Sequence, residues 1–266
     1  MRQDFGYVVK FKNLKLMNTF NILTLNTWGK YGPYELRWNI FLWELTTIKA
    51  DVLLLEEVVD EELIQLLIQK INFTHYAFFP APQLAILSRF PIHTHESILF
   101  PTQSKLETSA RGVLICKIKI GQTWYQIANT HLSWKTEDES TREHQVQDLL
   151  NILHSYSGAQ IVGGDLNDVS TSPSIQLMLK SGFIDLFELL HPKEAGVTWD
   201  NVNPFIQGHS IKFQDRRIDY LFANSSFLNE RKILTCDVVF NQIKISEVYA
   251  SDHYGVFCQS VIPSAP

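Results

Sequence analysis

The stretch IVGGDLND, residues 161–168, ends an apolar run on a glycine pair and then sets Asp165 and Asn167 two positions apart. Ile161 and Val162 are β-branched and suit a buried strand. Gly163 and Gly164 carry no side chain, so another backbone or a ligand can come close there. Residues i and i+2 of an extended chain point the same way, which would aim Asp165 and Asn167 at one small group. Gly, Asp and Asn also favour turns, so an Asx-type turn at the strand end is the competing local reading.

Working outward, short apolar runs at 20–25, 51–55, 75–79, 84–88, 92–99, 111–120, 124–130, 160–163, 217–222, 234–240 and 254–261 read as strands. Gly121-Gln122 marks a hairpin between two of them. Helical spacing appears over 35–49, with Leu36, Ile40, Trp43 and Ile48 as its apolar positions, and over 60–71, 139–155 and 173–181. Residues 191–215 are turn-rich. No linker or repeat divides the chain, which predicts one domain over 18–263 preceded by an N-terminal extension over 1–17. Mixed strands and helices with hairpin-length connections predict an α/β (α+β) fold. Two packed sheets covered by helices are expected rather than a purely βαβ wound sheet.

Composition narrows the chemistry. The formal net charge of −5 argues against a protein that grips nucleic acid mainly through a basic surface. Lys212, Arg216 and Arg217 form a local basic spot. The three cysteines, Cys116, Cys236 and Cys258, lie in apolar strands without a C-x-x-C pair and read as buried free thiols, which fits a reducing compartment. Lys10, Lys12 and Lys15 break any secretory h-region, and no apolar run is long enough to span a membrane. A cytoplasmic or otherwise intracellular monomer is the expectation.

A single design recurs where strands end. Asn26 follows ILTL, Glu57 follows DVLLLE, Asn129 and His131 close IANTHL, Asp165 and Asn167 close VGGDLN, and Asp252-His253 stand before YGV. Asp219 sits inside the strand-like RRIDYLF. Each has a structural explanation alone, such as a helix-start acid for Glu57 or a satisfied core group for Asp219. Together they point to a shared site, because unpaired buried polar groups cost a few kcal/mol each.

In this order, TLNTWG (24–29), LLEEV (54–58), NTHL (129–132), GGDLND (163–168), RRIDYLF (216–222) and SDHYGV (251–256) resemble the endonuclease/exonuclease/phosphatase superfamily of DNase I-like, metal-dependent phosphoesterases. TWDNVNP (198–204) makes the chain most similar to the 5′-tyrosyl-DNA phosphodiesterase-like branch, with neutral sphingomyelinases close in TLNTWG and NTHL. The resemblance implies a four-layer sandwich, two central mixed sheets flanked by helices, with the site at one edge. It implies Mg²⁺, with Mn²⁺ able to substitute, held by Glu57 with Asn26 and Asp252. Asp165 would deprotonate the attacking water and Asn167 would position it. His253, paired with Asp219, would donate to a non-bridging oxygen. His131 and Asn129 would complete the phosphate clamp, and Arg111 is a further candidate for a substrate phosphate. Trp199 and Asn203 would shape the groove.

The implied activity is hydrolysis of a phosphodiester, with nucleic-acid ends or a lipid headgroup as partners. Sphingomyelinase-like action, phosphomonoester hydrolysis and an inactive binding module are the alternatives. Two departures stand out. The family commonly has Gln where this chain has Glu56, an added carboxylate able to join the metal set or to raise its neighbour's pKa. Asp168-Val169-Ser170 stand where a DNA-end enzyme would carry a basic residue.

Overall fold

The computed structural model describes residues 19–208, 213–243 and 248–262. The expected extension over 1–17, both expected domain limits and Lys212 lie outside the described residues. The strands are β1 (Thr19–Asn26), β2 (Val52–Glu56), β3 (His75–Phe79), β4 (Leu84–Ser88), β5 (Ile92–Leu99), β6 (Gly112–Ile120), β7 (Thr123–His131), β8 (Ala159–Asp165), β9 (Phe183–Asp185), β10 (Asp219–Asn224), β11 (Lys232–Val239) and β12 (Gly255–Val261). The helices are α1 (Tyr34–Ile48), α2 (Glu62–Ile71), α3 (Glu139–Leu153), α4 (Pro173–Lys180), α5 (Leu186–Leu190) and α6 (Ser225–Glu230).

The strands form two six-stranded mixed sheets, ordered β11-β12-β1-β2-β4-β3 and β5-β6-β7-β8-β10-β9. Their facing sides pack Ile22, Leu54, Ile86, Leu114, Ile127, Ile161 and Leu221 into one core. On the outer face of the first sheet, Leu23, Leu53 and Leu55 meet Phe41 and Leu45 of α1 and Leu63 and Leu67 of α2. On the outer face of the second, Val113, Ile115 and Val162 meet Val146, Leu149 and Leu150 of α3 and Ile175 of α4. The result is the four-layer sandwich. Strands buried on both faces explain why β2 and β8 read as unbroken apolar runs rather than alternating ones.

Each sheet holds one parallel pair, β1/β2 and β7/β8, while the other strand neighbours run antiparallel. Parallel neighbours need a crossover, and α1 and α3 lie on those connections. The parallel strands finish together, with Asn26 in register with Glu56 and His131 in register with Asp165. The antiparallel neighbours begin at the same end. Asp219 opposes Asp165, and Asp252-His253 lead into β12 beside β1.

One reading changes and one is narrowed to the first of its two alternatives. On α1 the buried face carries Arg37, Trp38, Ile40, Phe41 and Leu45, while Leu36 and Trp43 are 37% and 46% exposed. The glycine pair gives room to the protein itself. A Cβ at Gly163 would lie 2.5 Å from Leu54 Cδ1 across the sheets, and one at Gly164 would lie 1.8 Å from the Thr130 carbonyl oxygen. Gly164 also has φ of +138°, which side chains rarely adopt. All three cysteines are buried and free, as expected.

Gly164→Ala is therefore expected to destabilise the fold by more than about 3 kcal/mol in chemical denaturation. Gly158→Ala, at φ of +91° with nothing within 4 Å of its Cβ, isolates the backbone strain and should cost distinctly less. Equal losses would show that the Thr130 contact does not constrain β8.

Candidate active site

The polar ends of the two parallel pairs open into a cleft of about 700 Å³. Glu57, Arg111, His131, Asp165, Asn167, Trp199, Asp252 and His253 all line it. Asn26, Asp219, Asn129 and Asn203 stand behind that surface, and what they bond to explains their placement.

Asn26 joins the sheets. Its Nδ2 donates to Asp165 Oδ2 at 3.0 Å and to Glu57 Oε1 at 3.1 Å. Its Oδ1 accepts from the Trp28 N–H at 3.0 Å, so one lone pair of the amide oxygen is left for a cation. Glu57 follows β2 in a left-handed conformation, φ of 56°, which turns its carboxylate back over the strand end. Such backbone strain is typical of functional positions. Arg37, wholly buried, braces this region by donating to the carbonyls of Thr27, Trp28, Gly29, Tyr31 and Ala250. Burial lowers its pKa to about 10 against the support of Asp252 and Glu57.

Opposite lies a chain of acids and imidazoles. His253 Nδ1 donates to Asp219 Oδ2 at 3.0 Å. That bond turns His253 Nε2 toward Asp165, 3.7 Å from Oδ2. His131 Nε2 lies 3.4 Å from the same oxygen. The two histidines differ in charge. Burial opposes protonation of His253, but Asp219 and Asp165 outweigh it and hold its pKa well above the usual value. Burial, Arg111 and His253 push His131 well below. Burial raises Asp165 to about 7 with help from Asp219, while His253 and the bonds from Asn26 and Asn167 oppose it. Asn167 completes an Asx-type turn: its N–H donates to Asp165 Oδ1 at 2.9 Å, and its Nδ2 donates to the Leu132 carbonyl. The turn reading of this stretch holds: β8 ends at Asp165 and Asn167 has a left-handed φ of 52°, so both side chains reach the cleft through the turn and not along an extended strand.

Two expectations need correction, and two further residues are already engaged. Asn129 is no phosphate clamp; its Nδ2 donates to the Leu55 and Ala85 carbonyls of the other sheet. Asn203 does not face the groove but ties the Ser251 and Asp252 carbonyls. Glu56 is fully buried and outside the cleft lining, its Oε1 accepting from Thr24 Oγ1 and its Oε2 left without a hydrogen-bond partner. Arg111 lines the cleft but binds Glu107 through Nε and Nη2 at 3.0 and 2.6 Å. Trp199 walls the site edge-on to His253, ring centroids 4.9 Å apart. Asp168 accepts from Arg142, Ser172 and Ser174 and anchors the loop after β8.

Sequence reasoning missed Ser251, whose Oγ donates to the Asn26 carbonyl and accepts from the His253 N–H. It missed Thr198, whose Oγ1 accepts from the N–H of Ile218 and Asp219. Nothing in a lone Ser or Thr signals such a role, although both lie inside the motifs already quoted.

A divalent cation fits the donors at one side. Burial raises the Glu57 pKa, and the Asp252 carboxylate raises it further. Two acids that repel each other beside an amide oxygen form a hard-oxygen set that a cation would relieve. Asp165, Asp219 and His253 also present ligand atoms within 4.8 Å of one another, but His253 is already engaged by Asp219.

The sequence profile of the Endonuclease/Exonuclease/phosphatase family matches residues 20–253. Among solved structures, TDP2 of D. rerio, complexed with single strand DNA product, is 19% identical with a TM-score of 0.77, covering 91% of this chain and 98% of that one. The human Nocturnin catalytic domain with bound sulfate anion is 19% identical with a TM-score of 0.72, covering 93% and 96%. Beta toxin of Staphylococcus aureus is 17% identical with a TM-score of 0.72, covering 90% and 99%. No curated protein matches the sequence.

Glu56 generates a pH prediction. Burial, with Asp219 and Asp165 adding, raises its pKa well above the ordinary value. A carboxyl that holds its proton more tightly when folded stabilises most at low pH and loses that contribution as pH rises from the unfolded value near 4.5. Glu56→Gln removes this slope. Thermal melts should show a larger gain from the substitution at pH 8 than at pH 5. A pH-independent gain would mean that Glu56 is not a buried acid.

Proposed function

The chain belongs to the Endonuclease/Exonuclease/phosphatase family, a family of phosphoric ester hydrolases, and from that premise we propose that it hydrolyses a phosphodiester by divalent-metal-assisted attack of water. The observation that carries this reading is Asp165. It stands between the amide of Asn26 and the Nε2 atoms of His131 and His253, with Asp219 behind His253.

Phosphoryl transfer is catalysed mainly by positioning and by charge stabilisation. In this reading Asp165 orients the attacking water and takes its proton. Asn167 holds the turn that presents Asp165. His253, kept cationic by Asp219 and Asp165, donates Nε2–H to a non-bridging oxygen and stabilises the charge that grows there. His131, kept neutral, supplies a hydrogen-bonding group to the same phosphate. Glu57 and Asp252, with the free lone pair of Asn26, would hold Mg²⁺ or Mn²⁺. When bound, the ion would supply charge neutralisation at the phosphate and the leaving oxygen.

A nucleic-acid end is the substrate we favour, because aromatic side chains of Trp28, Tyr31, Trp134, Trp199, Phe205 and Phe213 line the cleft and bases stack on such surfaces. The presence of Glu57, Asp165 and His253 in one cleft speaks against an inactive binding module. No helix among the described residues is long and apolar enough to cross a membrane.

Purified protein is expected to hydrolyse bis-p-nitrophenyl phosphate with Mg²⁺ or Mn²⁺, and EDTA should abolish the activity. Asp165→Ala and His253→Ala should each lower kcat by at least about 100-fold with the fold retained. Full turnover by either folded variant would remove that residue from the reaction.

A further inference from the structure

The cations around the cleft are mostly engaged. Arg111 is held by Glu107, whose other oxygen accepts from the Trp134 N–H. Arg142 is held by Asp168, and Arg217 by Asp185 at 2.5 Å. Arg37 is taken up by backbone carbonyls. Arg216 differs. It lines the cleft and is half-buried, and its Nε is shielded from solvent with no hydrogen-bond partner. Among the described residues no carboxylate oxygen lies within 4.0 Å of its guanidinium.

The placement of Arg216 is nonetheless fixed. Its N–H donates to the Trp199 carbonyl at 3.0 Å and its carbonyl accepts from the Trp199 N–H at 2.9 Å. The guanidinium lies 3.5 Å from the centre of the Phe213 ring. A stacked guanidinium keeps its edge free for two parallel N–H bonds, the geometry that suits a phosphate. Burial of an unpaired charge is costly, and a bound anion removes that cost. Arg217, whose Nε is likewise shielded and unpaired, has Asp185 at its Nη1, whereas Arg216 has no carboxylate partner among the described residues.

The phosphate under attack is met by His131, His253 and Asp165. Arg216 feels the Asp165 and Asp168 carboxylates through space but hydrogen-bonds to none of these groups, so its N–H edge is open to an anion beside the one under attack. Resting on the phosphodiesterase reading above, we propose that Arg216, stacked on Phe213, binds a second phosphate of the substrate, adjacent to the scissile one. It thereby selects a nucleotide chain over a lone phosphodiester headgroup. The aromatic lining of Trp199, Phe205 and Phe213 gives the intervening base a surface to stack on. Glycerophosphoinositol 4-phosphate presents two phosphates but no base, which provides the contrast for a test.

Isothermal titration calorimetry of the full chain with Mg²⁺ tests this without any turnover. The probes are thymidine 5′-monophosphate, thymidine 3′,5′-bisphosphate and glycerophosphoinositol 4-phosphate. The wild type should bind the bisphosphate at least about 10-fold more tightly than the monophosphate, as expected for a charge-assisted pair. Arg216→Ala should reduce that preference to within about twofold while keeping monophosphate affinity, and Arg216→Lys should retain part of it. Phe213→Leu should weaken the preference without abolishing it, and thermal melts check that each variant is folded.

A wild type without the preference, or an Arg216→Ala variant that keeps it, overturns the proposal. Equal or tighter binding of the inositol probe overturns the nucleotide assignment. Hydrolysis of bis-p-nitrophenyl phosphate is read separately. If the preference is present and hydrolysis is absent, the hydrolase reading fails and the phosphate subsite stands.

Discussion

The amide of Asn26 holds the carboxylates of Glu57 and Asp165 from two different sheets, and the rest of the site depends on that junction. Two parallel pairs, each made by a helical crossover, finish at the same edge of the sandwich. Ligand sites of α/β folds lie at the carboxyl ends of such strands. Here two sets of ends face each other. The junction works only if the sheets keep one spacing. Gly163 admits Leu54, Gly164 admits the Thr130 carbonyl, and Asn129 reaches across to Leu55 and Ala85. The motif that suggested room for a backbone or a ligand gives that room to a neighbouring strand at Gly164 and to the facing sheet at Gly163.

Bringing Glu56, Glu57, Asp165, Asp219 and Asp252 together would be prohibitive without compensation. The compensation is distributed. His253 carries charge between Asp219 and Asp165, Arg37 lies beneath the loops on a buried bed of carbonyls, and burial raises the pKa values of Glu56, Glu57 and Asp165. The negative charge that remains is what a divalent cation and its phosphate would share. One fold thereby produces an acidic wall with Glu57 and Asp252, an imidazole wall with His131 and His253, and an aromatic floor. Arg216 stands beside them as a cation with no carboxylate in ion-pair distance among the described residues.

Much of this was legible in the sequence. The runs at 75–79, 84–88 and 92–99 are strands with those bounds, because turn residues bracket them. β9, α5 and α6 were not legible. They are three, five and six residues long, below the length at which periodicity separates helix from strand. Their starts depend on single caps, Asp185 for α5 and Asn224 for α6. The polar strand ends announced Glu57, Asp165 and His253 as one site. What sequence could not show was which polar groups face inward. Asn129 and Asn203 look like ligands by type and prove to be braces. Arg111 loses its independence to Glu107 four residues earlier, while Arg216 has no such ion-pair partner among the described residues. Pairing is a property of packing, and composition does not carry it.

The central claim is that these distant groups converge on one cation and one phosphate. Crystals grown with Mn²⁺ and a phosphate product, measured at the manganese absorption edge, test it most directly. The account predicts an anomalous peak in the cleft beside the Glu57 carboxylate, with a phosphate between it and the His131 and His253 imidazoles. A peak elsewhere on the molecule, with this cleft holding neither ion nor phosphate, would contradict it.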